Sequence, residues 1–471
     1  MSHSLSSVST SAFEILGPIM VGPSSSHTAG ALRLAQVASS LLEGNIASVK
    51  FTLWNSFAQT YRGHSTDRAL VAGILGLQTD DERIRNAFDI AQKNSMHFEF
   101  FVAGDNPSLH PNTVDIEMTN TAGIHATVRG ESLGGGKIRI CRINSVEVNI
   151  SGAYCTLFVA HRDAPGALAA LTSLLADAQV NIAFCSTYRT EAGGQAYSVF
   201  ETDEYYSGAS FIKSVKSLDL VDYASFIEVP GSSALSPINS LNPYMFTSAA
   251  DLLELCSKEK LTIGEIMKRR EYCLSDKETT FRTMQNVLEV MRKETSEPLR
   301  NPQSSLGGFI GGEAQKIETS AQRYAQSLIG SVQTDAVARA MAVLERSASM
   351  GVIVAAPTAG SAGVVPGATL AVADHLHAET KEIHDALFCA AAIGQLLSAN
   401  ACVAGAEGGC QAEVGSAAAM ASAALVQMLG GSPEQCFHAA SITLGNLLGL
   451  VCDPIGGGLL KYPAKTVTQS A

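Results

Sequence analysis

The hydrophobic pattern of this chain changes once, at residues 228–245, EVPGSSALSPINSLNPYM, a segment rich in Pro, Ser and Asn. Before it, helical patterns alternate with strand-like runs. After it, every pattern is helical, and residues 319–450 are rich in Ala and Gly. Small residues on all sides of a helix predict burial among other helices. A chain of 471 residues also exceeds one ordinary core. We therefore predict a multidomain α+β protein.

Four segments follow from this change of pattern. Residues 1–148 mix helices such as GALRLAQVASSLLEG with strands such as SVKFTLW, which predicts an α+β domain. Residues 149–224 show a βαββαβ order, typical of a small ferredoxin-like module. Residues 225–245 are predicted to be a linker. Residues 246–471 are predicted to be an all-helical domain, with chemistry in its polar loops.

Charge and composition exclude several classes of protein. The net charge is −12 and no Lys/Arg-rich run occurs, so we expect no nucleic-acid partner. The sequence contains no uninterrupted apolar run long enough to span a membrane, and its beginning does not resemble a signal peptide, so we expect a cytoplasmic protein that does not bind membranes. In that compartment the ten cysteines are expected to be reduced thiols, metal ligands or small core residues.

The first candidate site is GPSSSHTAG, residues 22–30, which precedes a helical pattern. The hydroxyls of Ser24, Ser25, Ser26 and Thr28, together with helix N-terminal N–H groups, could bind an anion such as a carboxylate. The alternative is a solvated serine loop that only caps the helix.

The second candidate site is YRGHSTDRA, residues 61–69. His64 follows a glycine on a predicted loop, and imidazole is the side chain whose ordinary titration near neutrality suits a general acid or base. Asp67 lies close by in the sequence. The alternative is a surface histidine, with Asp67 capping the next helix. His110, in LHPNT, is a similar but weaker candidate.

A third candidate is AAPTAGSAG, residues 355–363, in the helical region. Thr358 and Ser361 provide two hydroxyls beside exposed N–H groups that could bind a carboxylate or phosphate. The segment lacks the Lys-Ser/Thr ending of a phosphate-binding P-loop. A helix-to-helix turn that needs glycine for its geometry remains the alternative.

Cys410 and Cys452 are the metal candidates. They lie in GAEGGCQAE and CDPIGGG, both predicted to be polar loops, and thiolate is a good ligand for iron–sulfur clusters and zinc. Their spacing matches no C-x-x-C zinc pattern. The alternative is that each is a small buried hydrophobic residue.

Taken together, these motifs resemble the iron–sulfur-dependent bacterial L-serine dehydratases over nearly the whole chain. The chain resembles a fusion of that family's β part with its α part, and residues 149–224 resemble the ACT domain of many β parts. The motifs that carry the resemblance are, in order, GPSSSHTAGALR, GHSTDRALVAGILG, HPNT, LGGG, GGEAQK, VAAPTAGSAGVVPG, NACVAGAEGGCQAEVGSA and NLLGLVCDP.

The resemblance implies a reaction and a cofactor. Water would be eliminated from L-serine to give pyruvate and ammonia, with a [4Fe–4S] cluster on Cys410 and Cys452 as Lewis acid. His64 is the favoured acid–base residue and His27 the second imidazole, although either could only bind substrate. A homodimer is expected. The residues expected to bind substrate are Ser24, Ser25, Ser26, Thr28, Asp67, His110, Asn112, Thr358, Ser361 and Asn400.

The ACT-like module raises a separate expectation. RDAPGAL resembles the family's Asp-x-Pro-Gly turn, and the resemblance implies an amino-acid effector held near Asp163, Gly166 and Asn181. The alternative is that this module only makes dimer contacts.

The chain departs from the family pattern after Cys452. Family members carry a further cluster cysteine where Ala464 follows Pro463 here, and their α part continues beyond the position of Ala471, so the α part is expected to be truncated. A solvent molecule, a carboxylate, a residue from another chain or a corrected reading frame could supply the missing ligand. The hypotheses are an active serine dehydratase, an impaired relative that senses serine, and a lyase for another β-substituted amino acid.

Overall fold

The computed structural model describes residues 10–189, 191–202, 209–227, 242–323, 329–403 and 405–447. Its first part is the N-terminal α+β region. The predicted linker therefore falls largely outside the described residues. The region's elements are α1 (Ala12–Ile15), β1 (Ile19–Val21), a π-helical turn (Ser25–Gly30), α2 (Ala31–Ser40), β2 (Ile46–Trp54), α3 (Asn55–Thr60), α4 (Thr66–Ile74), a 3-10 turn (Glu82–Asn86), α5 (Ala87–Lys93), β3 (His97–Gly104), β4 (Thr113–Asn120), β5 (His125–Gly134), β6 (Lys137–Ile143) and β7 (Val146–Ile150).

A six-stranded sheet organises this region, in the order β3-β2-β4-β5-β6-β7. Only β2 and β3 pair in parallel, and the other neighbours are antiparallel. Helix α2 lies on β5 and β6, and α4 packs against α2. A Cβ atom at Gly73 would lie only 2.3 Å from the carbonyl oxygen of Leu32, so the close approach of α4 to α2 requires glycine there.

The predicted ferredoxin-like module is confirmed as an antiparallel sheet in the order β11-β8-β10-β9, carrying two helices. Its own apolar core includes Leu157, Leu171 and Phe200. Its elements are β8 (Cys155–Arg162), α6 (Ala167–Asp177), β9 (Ile182–Arg189), β10 (Gln195–Thr202), α7 (Ala209–Lys216) and β11 (Val221–Ile227).

The predicted helical region is also confirmed. Its central helix, α14, is buried along most of its length because small and apolar side chains surround it, and it packs against α9 and α15. Within the described residues, no helix is both long and apolar enough to cross a membrane. The elements are α8 (Ala249–Glu259), α9 (Ile263–Leu274), α10 (Lys277–Arg300), α11 (Glu313–Arg323), α12 (Ser331–Ala348), β12 (Val352–Val354), a 3-10 turn (Ala359–Ser361), α13 (Val364–Leu376), α14 (Thr380–Asn400), α15 (Gly405–Met428) and α16 (Pro433–Leu447).

The first residues of the chain connect the two large regions. Helix α1 packs on α14, and the carboxylate of Glu271 accepts a hydrogen bond from the N–H of Ala12 at 2.9 Å. Strand β1 pairs antiparallel with β12, with Val21 opposite Val352. This short strand in the helical region is an addition that the helical patterns did not reveal.

One local prediction is wrong. The segment GAEGGCQAE, expected to be a loop, lies at the beginning of helix α15. The helix is interrupted at Gly409, whose φ of 73° and ψ of 177° lie outside the helical range. The glycines predicted a loop because they allow such values, but here a single residue interrupts a helix instead.

Candidate functional site

The serine-rich segment forms one turn of π-helix after β1. Ser24 begins this turn, and its Oγ accepts a hydrogen bond from the N–H of His27 at 3.1 Å. Ser25 and Thr28 are also buried, whereas Ser26 is partly exposed. The capping role considered for these serines is therefore present, but the loop is not a solvated one. It contains polar groups held at the boundary of the core.

His27 lies at the centre of a set of hydroxyl groups. Its Nδ1 atom is 2.9 Å from the Oγ of Ser26 and 3.4 Å from the Oγ of Ser24. On the other side of the ring, Nε2 is 3.0 Å from the Oγ of Ser56. The ring also meets the edge of Phe57, at a centroid distance of 5.1 Å. Both ring nitrogens are thus oriented by hydroxyl groups that can donate or accept.

The two predicted imidazoles lie together. The ring centroids of His27 and His64 are 4.7 Å apart, with an angle of 36° between the ring planes. Burial, and secondarily the charge of His64, hold the pKa of His27 well below its ordinary value. His27 is therefore a neutral imidazole at neutral pH. The hydroxyl of Thr28 donates to the carbonyl oxygen of His64 at 3.0 Å, which joins the two candidate loops directly.

Asp67 lies three residues beyond His64, in the first turn of α4. Burial raises the pKa of its carboxyl group, although the N–H of Arg68 donates to it at 2.8 Å. Ser65, at the start of the same helix, has a left-handed backbone conformation with φ of 57°. The segment is thus a tight turn between α3 and α4 rather than an exposed loop, because His64 and Ser65 are both buried.

His110 and Asn112 lie in the turn just before β4 and border the same group of residues. The N–H of Asn112 donates to Nδ1 of His110 at 3.1 Å, and its side-chain amide donates to the carbonyl oxygen of Ser132 at 3.1 Å. The hydroxyl of Ser132 donates in turn to the carbonyl oxygen of Ser26 at 2.7 Å. The Oδ1 atom of Asn112 is buried and has no hydrogen-bond partner among the described residues.

The second loop, in the helical region, holds its two hydroxyls close together. The Oγ1 of Thr358 and the Oγ of Ser361 are 3.2 Å apart, and Ser361 also donates to the carbonyl oxygen of Ala356 at 3.0 Å. Both side chains are buried. The segment connects β12 to α13, so the helix-to-helix turn considered for it is wrong, and it places two hydroxyls side by side.

Apolar packing brings the second loop against the serine-rich turn. Ala29 of the π-helical turn shares a buried cluster with Ala359 and Ala362, and this cluster also contains Met20 of β1 and Ile353 of β12. Each loop follows one strand of the β1–β12 pair, at opposite ends of that pair. The structure therefore joins candidate residues that are more than 300 positions apart in the sequence.

The remaining candidates that the structure describes, Asn400 and the backbone of Cys410, lie on helices α14 and α15. Asn400 is exposed at the end of α14, where its side-chain amide donates to the carbonyl oxygen of Thr247 at 3.3 Å. Cys410 directly follows Gly409 on α15, and α15 packs against the 3-10 turn of the second loop. The side chain of Cys410 and all of Cys452 lie outside the described residues. Among the residues that the structure does describe, no cluster of three His, Cys, Asp or Glu side chains has the geometry of a metal site.

Two residues of this site were not predicted from the sequence. Ser56 contacts Nε2 of His27, and Ser132 links the serine-rich turn to Asn112. Ser56 follows the end of the predicted strand SVKFTLW, a position where polar side chains commonly serve function, so that signal was available. Ser132 lies inside a strand, and no local pattern distinguishes it.

Two of the three ACT candidates, Asp163 and Gly166, lie just before α6. The carboxylate of Asp163 accepts hydrogen bonds from the N–H of Gly193 at 2.9 Å and from Arg189 at 3.1 Å. The hydrogen bond from Gly193, and then that from Arg189, hold the pKa of Asp163 below its ordinary value. Gly166, at φ of 91°, begins the helix, and Asn181 is exposed before β9.

Three family profiles match consecutive parts of the chain. The serine dehydratase beta chain profile matches residues 11–141, the ACT domain profile matches residues 156–204, and the serine dehydratase alpha chain profile matches residues 258–464.

Curated relatives extend these matches to nearly the full length. The beta chain of L-serine dehydratase from Peptoniphilus asaccharolyticus is 37% identical over 46% of this chain and 98% of its own length. A probable L-serine dehydratase alpha chain from Bacillus subtilis is 43% identical over 46% of this chain and 73% of its own length. An L-serine dehydratase from Streptomyces coelicolor is 30% identical over 94% of this chain and 84% of its own length. The chain therefore belongs to the L-serine dehydratase family, with beta-type, ACT and alpha-type parts on one polypeptide.

Proposed function

We propose that this protein removes water from L-serine and releases pyruvate and ammonia. The α-proton and the β-hydroxyl leave first, which gives 2-aminoacrylate. This enamine becomes an imine, and water hydrolyses the imine to pyruvate and ammonia. The observation that carries the proposal, in a member of this family, is the close pair of His27 and His64, which serine and threonine hydroxyls surround.

The histidine pair suits proton transfer. We assign the acid–base role to His64, with His27 beside it as a neutral imidazole whose nitrogens are oriented by Ser26 and Ser56. Two imidazoles whose ring centroids are 4.7 Å apart disfavour a second positive charge, which keeps one of them available as a base.

Hydroxyl and amide groups suit the charged ends of the amino acid. Because an α-proton next to a free carboxylate is only weakly acidic, hydrogen bonds to that carboxylate assist its removal. We assign this task to the hydroxyls of the serine-rich turn and to Thr358 and Ser361, which share the packing around Ala29. The unpartnered Oδ1 of buried Asn112 is an acceptor suited to the substrate ammonium group.

The cofactor proposed for the reaction is a [4Fe–4S] cluster. Cys410 is suited to hold it, since this residue follows the break at Gly409 in a helix that packs against the Thr358–Ser361 turn. Cys452 is the second thiolate that we propose. When bound, the cluster would supply a Lewis acid for the departing hydroxyl group. The hydroxyl groups and Asn112 would bind the amino acid, and the histidine pair would move its proton.

The activity is tested by anaerobic reconstitution with iron and sulfide, followed by a pyruvate assay with L-serine. We expect turnover in the parent protein and a loss of at least about a hundredfold in His64→Gln, in line with the usual contribution of an acid–base residue. His125→Gln is the matched control, because His125 is an exposed histidine of the same α+β region, at the start of β5. Absence of pyruvate from a protein that has incorporated a cluster would contradict the proposal.

The cluster ligands are tested separately by iron and sulfide content and by visible absorbance. Cys410→Ala and Cys452→Ala should each lower the incorporated iron, whereas Cys185→Ala should not, because Cys185 is exposed in the ACT module. Ala464→Cys should raise iron content if a third thiolate is beneficial. Unchanged iron in both Cys410→Ala and Cys452→Ala would contradict the assignment.

For the ACT module we propose an amino-acid effector at the start of α6. Gly166 leaves this helix start without a side-chain cap, and the neighbouring Asp163 already organises the β9–β10 hairpin. Calorimetry with L-serine on His64→Gln protein should detect this binding without turnover. The double variant His64→Gln/Asn181→Ala should bind L-serine more weakly. Identical binding in both proteins would contradict the assignment.

A further inference from the structure

A groove lined by arginines lies between the N-terminal α+β region and the helical region. Its volume is about 450 Å³, within the range of small-molecule sites. Arg85 comes from the 3-10 turn before α5, in the α+β region. Arg300, at the end of α10, and Arg346, near the end of α12, come from the helical region. These three residues define what we call the arginine groove, which is separate from the histidine pair.

The charges in the arginine groove are unevenly paired. Arg346 forms ion pairs with Glu297 and, at 3.3 Å, with Glu82, and both acids also line the groove. By contrast, the side chains of Arg85 and Arg300 have no hydrogen bond or ion pair among the described residues. Three guanidinium groups therefore face two carboxylates, which gives a local excess of positive charge in a protein whose net charge is −12.

A guanidinium group selects for carboxylate and phosphate because its planar N–H groups match two oxygens of such anions. Two unpaired guanidinium groups that line one cavity suit an anion with two negative charges better than one with a single charge. Exposed ion pairs contribute little free energy. The side chains of Glu82 and Glu297 are 63% and 45% exposed, so neither carboxylate strongly competes with an anion for the arginines.

The groove is also connected to the candidate catalytic turn. Met350 lines it, and the Met350 Sδ atom lies 3.1 Å from the position that a Cβ atom would take on Gly22. Gly22 comes two residues before Ser24. Gly351, another lining residue, leads directly into β12, whose Val352 pairs with Val21. A ligand in the groove would therefore contact the segment that positions the serine-rich turn.

We propose that the arginine groove binds a small organic dianion, either a dicarboxylate or a phosphate ester, at a site distinct from the serine-binding site. Binding holds the 3-10 turn before α5 against the ends of α10 and α12 and stiffens the β1–β12 pair. This inference does not depend on the proposed activity, and it is tested on full-length protein without turnover.

The test is calorimetry with succinate and with inorganic phosphate at fixed ionic strength, with acetate as the singly charged comparison. We expect saturable binding of at least one dianion, weakened about tenfold or more in Arg85→Gln/Arg300→Gln. Arg83→Gln is the matched control, because Arg83 lies on the same 3-10 turn but pairs with Asp81. Preference for succinate identifies the dicarboxylate class, and preference for phosphate identifies the phosphate ester class.

Circular dichroism and a thermal melt establish that the double variant is folded, and the single variants provide the same comparison if it is not. Hydrogen exchange is the second measurement, in which the bound dianion should protect the amides of residues 19–22 and 350–354. Absence of saturable binding, or equal binding in parent and double variant, would overturn the site. Binding without added protection in these two segments would overturn the coupling to the strand pair.

Discussion

The imidazole rings of His27 and His64 lie at a centroid distance of 4.7 Å and are tilted by 36°, although the two residues lie on different turns that precede different helices. The hydroxyl of Thr28 fixes this relationship by donating to the carbonyl oxygen of His64 at 3.0 Å. Because burial keeps the pKa of His27 low, His27 is a neutral imidazole in the folded protein at neutral pH. Protonation of His27 should therefore lower both the free energy of unfolding and the ability of the pair to take up a proton from the substrate.

The first prediction concerns the pH dependence of stability. The pKa of His27 is lower in the folded protein than the ordinary value near 6.5, so the unfolded chain binds more protons below that pH. The free energy of unfolding should therefore fall as the pH decreases from about 6.5 toward the folded pKa, by up to about 1.4 kcal/mol per pH unit. His27→Gln should remove this part of the slope, which urea unfolding between pH 5 and 8 measures. His125→Gln should keep the parent slope, and an unchanged slope in His27→Gln would contradict the prediction.

The second prediction concerns Ser56, a positioning residue that orients His27 through Nε2. Ser56→Ala removes one hydrogen bond to a buried ring, a loss of about 1 kcal/mol, and leaves the main-chain bond to Pro111 in place. We expect kcat for serine to fall about tenfold with a smaller change in KM, and the acidic limb of the pH–rate profile to shift. Ser39→Ala is the control, since Ser39 bonds only within its own helix. A change confined to thermal stability would show that Ser56 has only a structural role.

The sequence predicted the ferredoxin-like module and the helical region because their periodicities are local. It also indicated most of the polar residues that the structure brings together around His27, since Ser24, His27 and His64 lie in short motifs that precede helices. The joining of the two large regions was not predictable in the same way. Pairing of β1 with β12 depends on three-residue strands separated by more than 300 positions, and runs this short carry no periodic signal.

The loop predicted at residues 405–413 shows a different limit. Glycine permits both a loop and a single break within a helix, and its φ and ψ values are decided by packing rather than by the local sequence. Likewise, Ser132 acquires its role only because β5 passes beside the serine-rich turn, with the Oγ atom 2.7 Å from the carbonyl oxygen of Ser26.

The third prediction concerns Glu294, which is fully buried in α10 and holds the end of β12. Its Oε2 atom accepts a hydrogen bond from the N–H of Val354 at 2.8 Å, and burial raises its pKa well above the ordinary value. Because the folded protein favours the protonated form, stability should decline as the pH rises above the carboxyl group's pKa in the unfolded chain.

Two substitutions at Glu294 separate charge from hydrogen bonding. Glu294→Gln keeps an acceptor for Val354 and has no charge to bury, so it should be neutral or stabilising at pH 8 and should flatten the decline. Glu294→Ala removes the acceptor and leaves a cavity, which should cost about 2–4 kcal/mol. Urea unfolding at pH 5.5 and 8 measures both. Equal destabilisation by the two substitutions would contradict the assignment of Glu294 as a neutral hydrogen-bonded acid.

The last prediction concerns the close contact between Gly30 and Ser132. A Cβ atom on Gly30 would lie 2.1 Å from the Oγ of Ser132 and 3.0 Å from its Cβ, so alanine must displace the hydroxyl that bonds the carbonyl oxygen of Ser26. We expect Gly30→Ala to destabilise the protein by about 1–3 kcal/mol and to lower serine turnover more than its stability loss explains. Gly445→Ala is the matched control, because Gly445 is also helical and a Cβ atom there meets open space.

A double variant tests the cause of the Gly30→Ala defect. Ser132→Ala removes the Oγ atom from the overlap, so Gly30→Ala/Ser132→Ala should recover part of the stability lost in Gly30→Ala. It should not recover turnover, because the hydrogen bond to the serine-rich turn is still absent. Recovery of both would mean that Ser132 only fills space, whereas recovery of neither would mean that the remaining contact with the Cβ of Ser132 dominates. The stability difference between single and double variants, read as a coupling free energy, therefore separates the steric role of Ser132 from its hydrogen-bonding role.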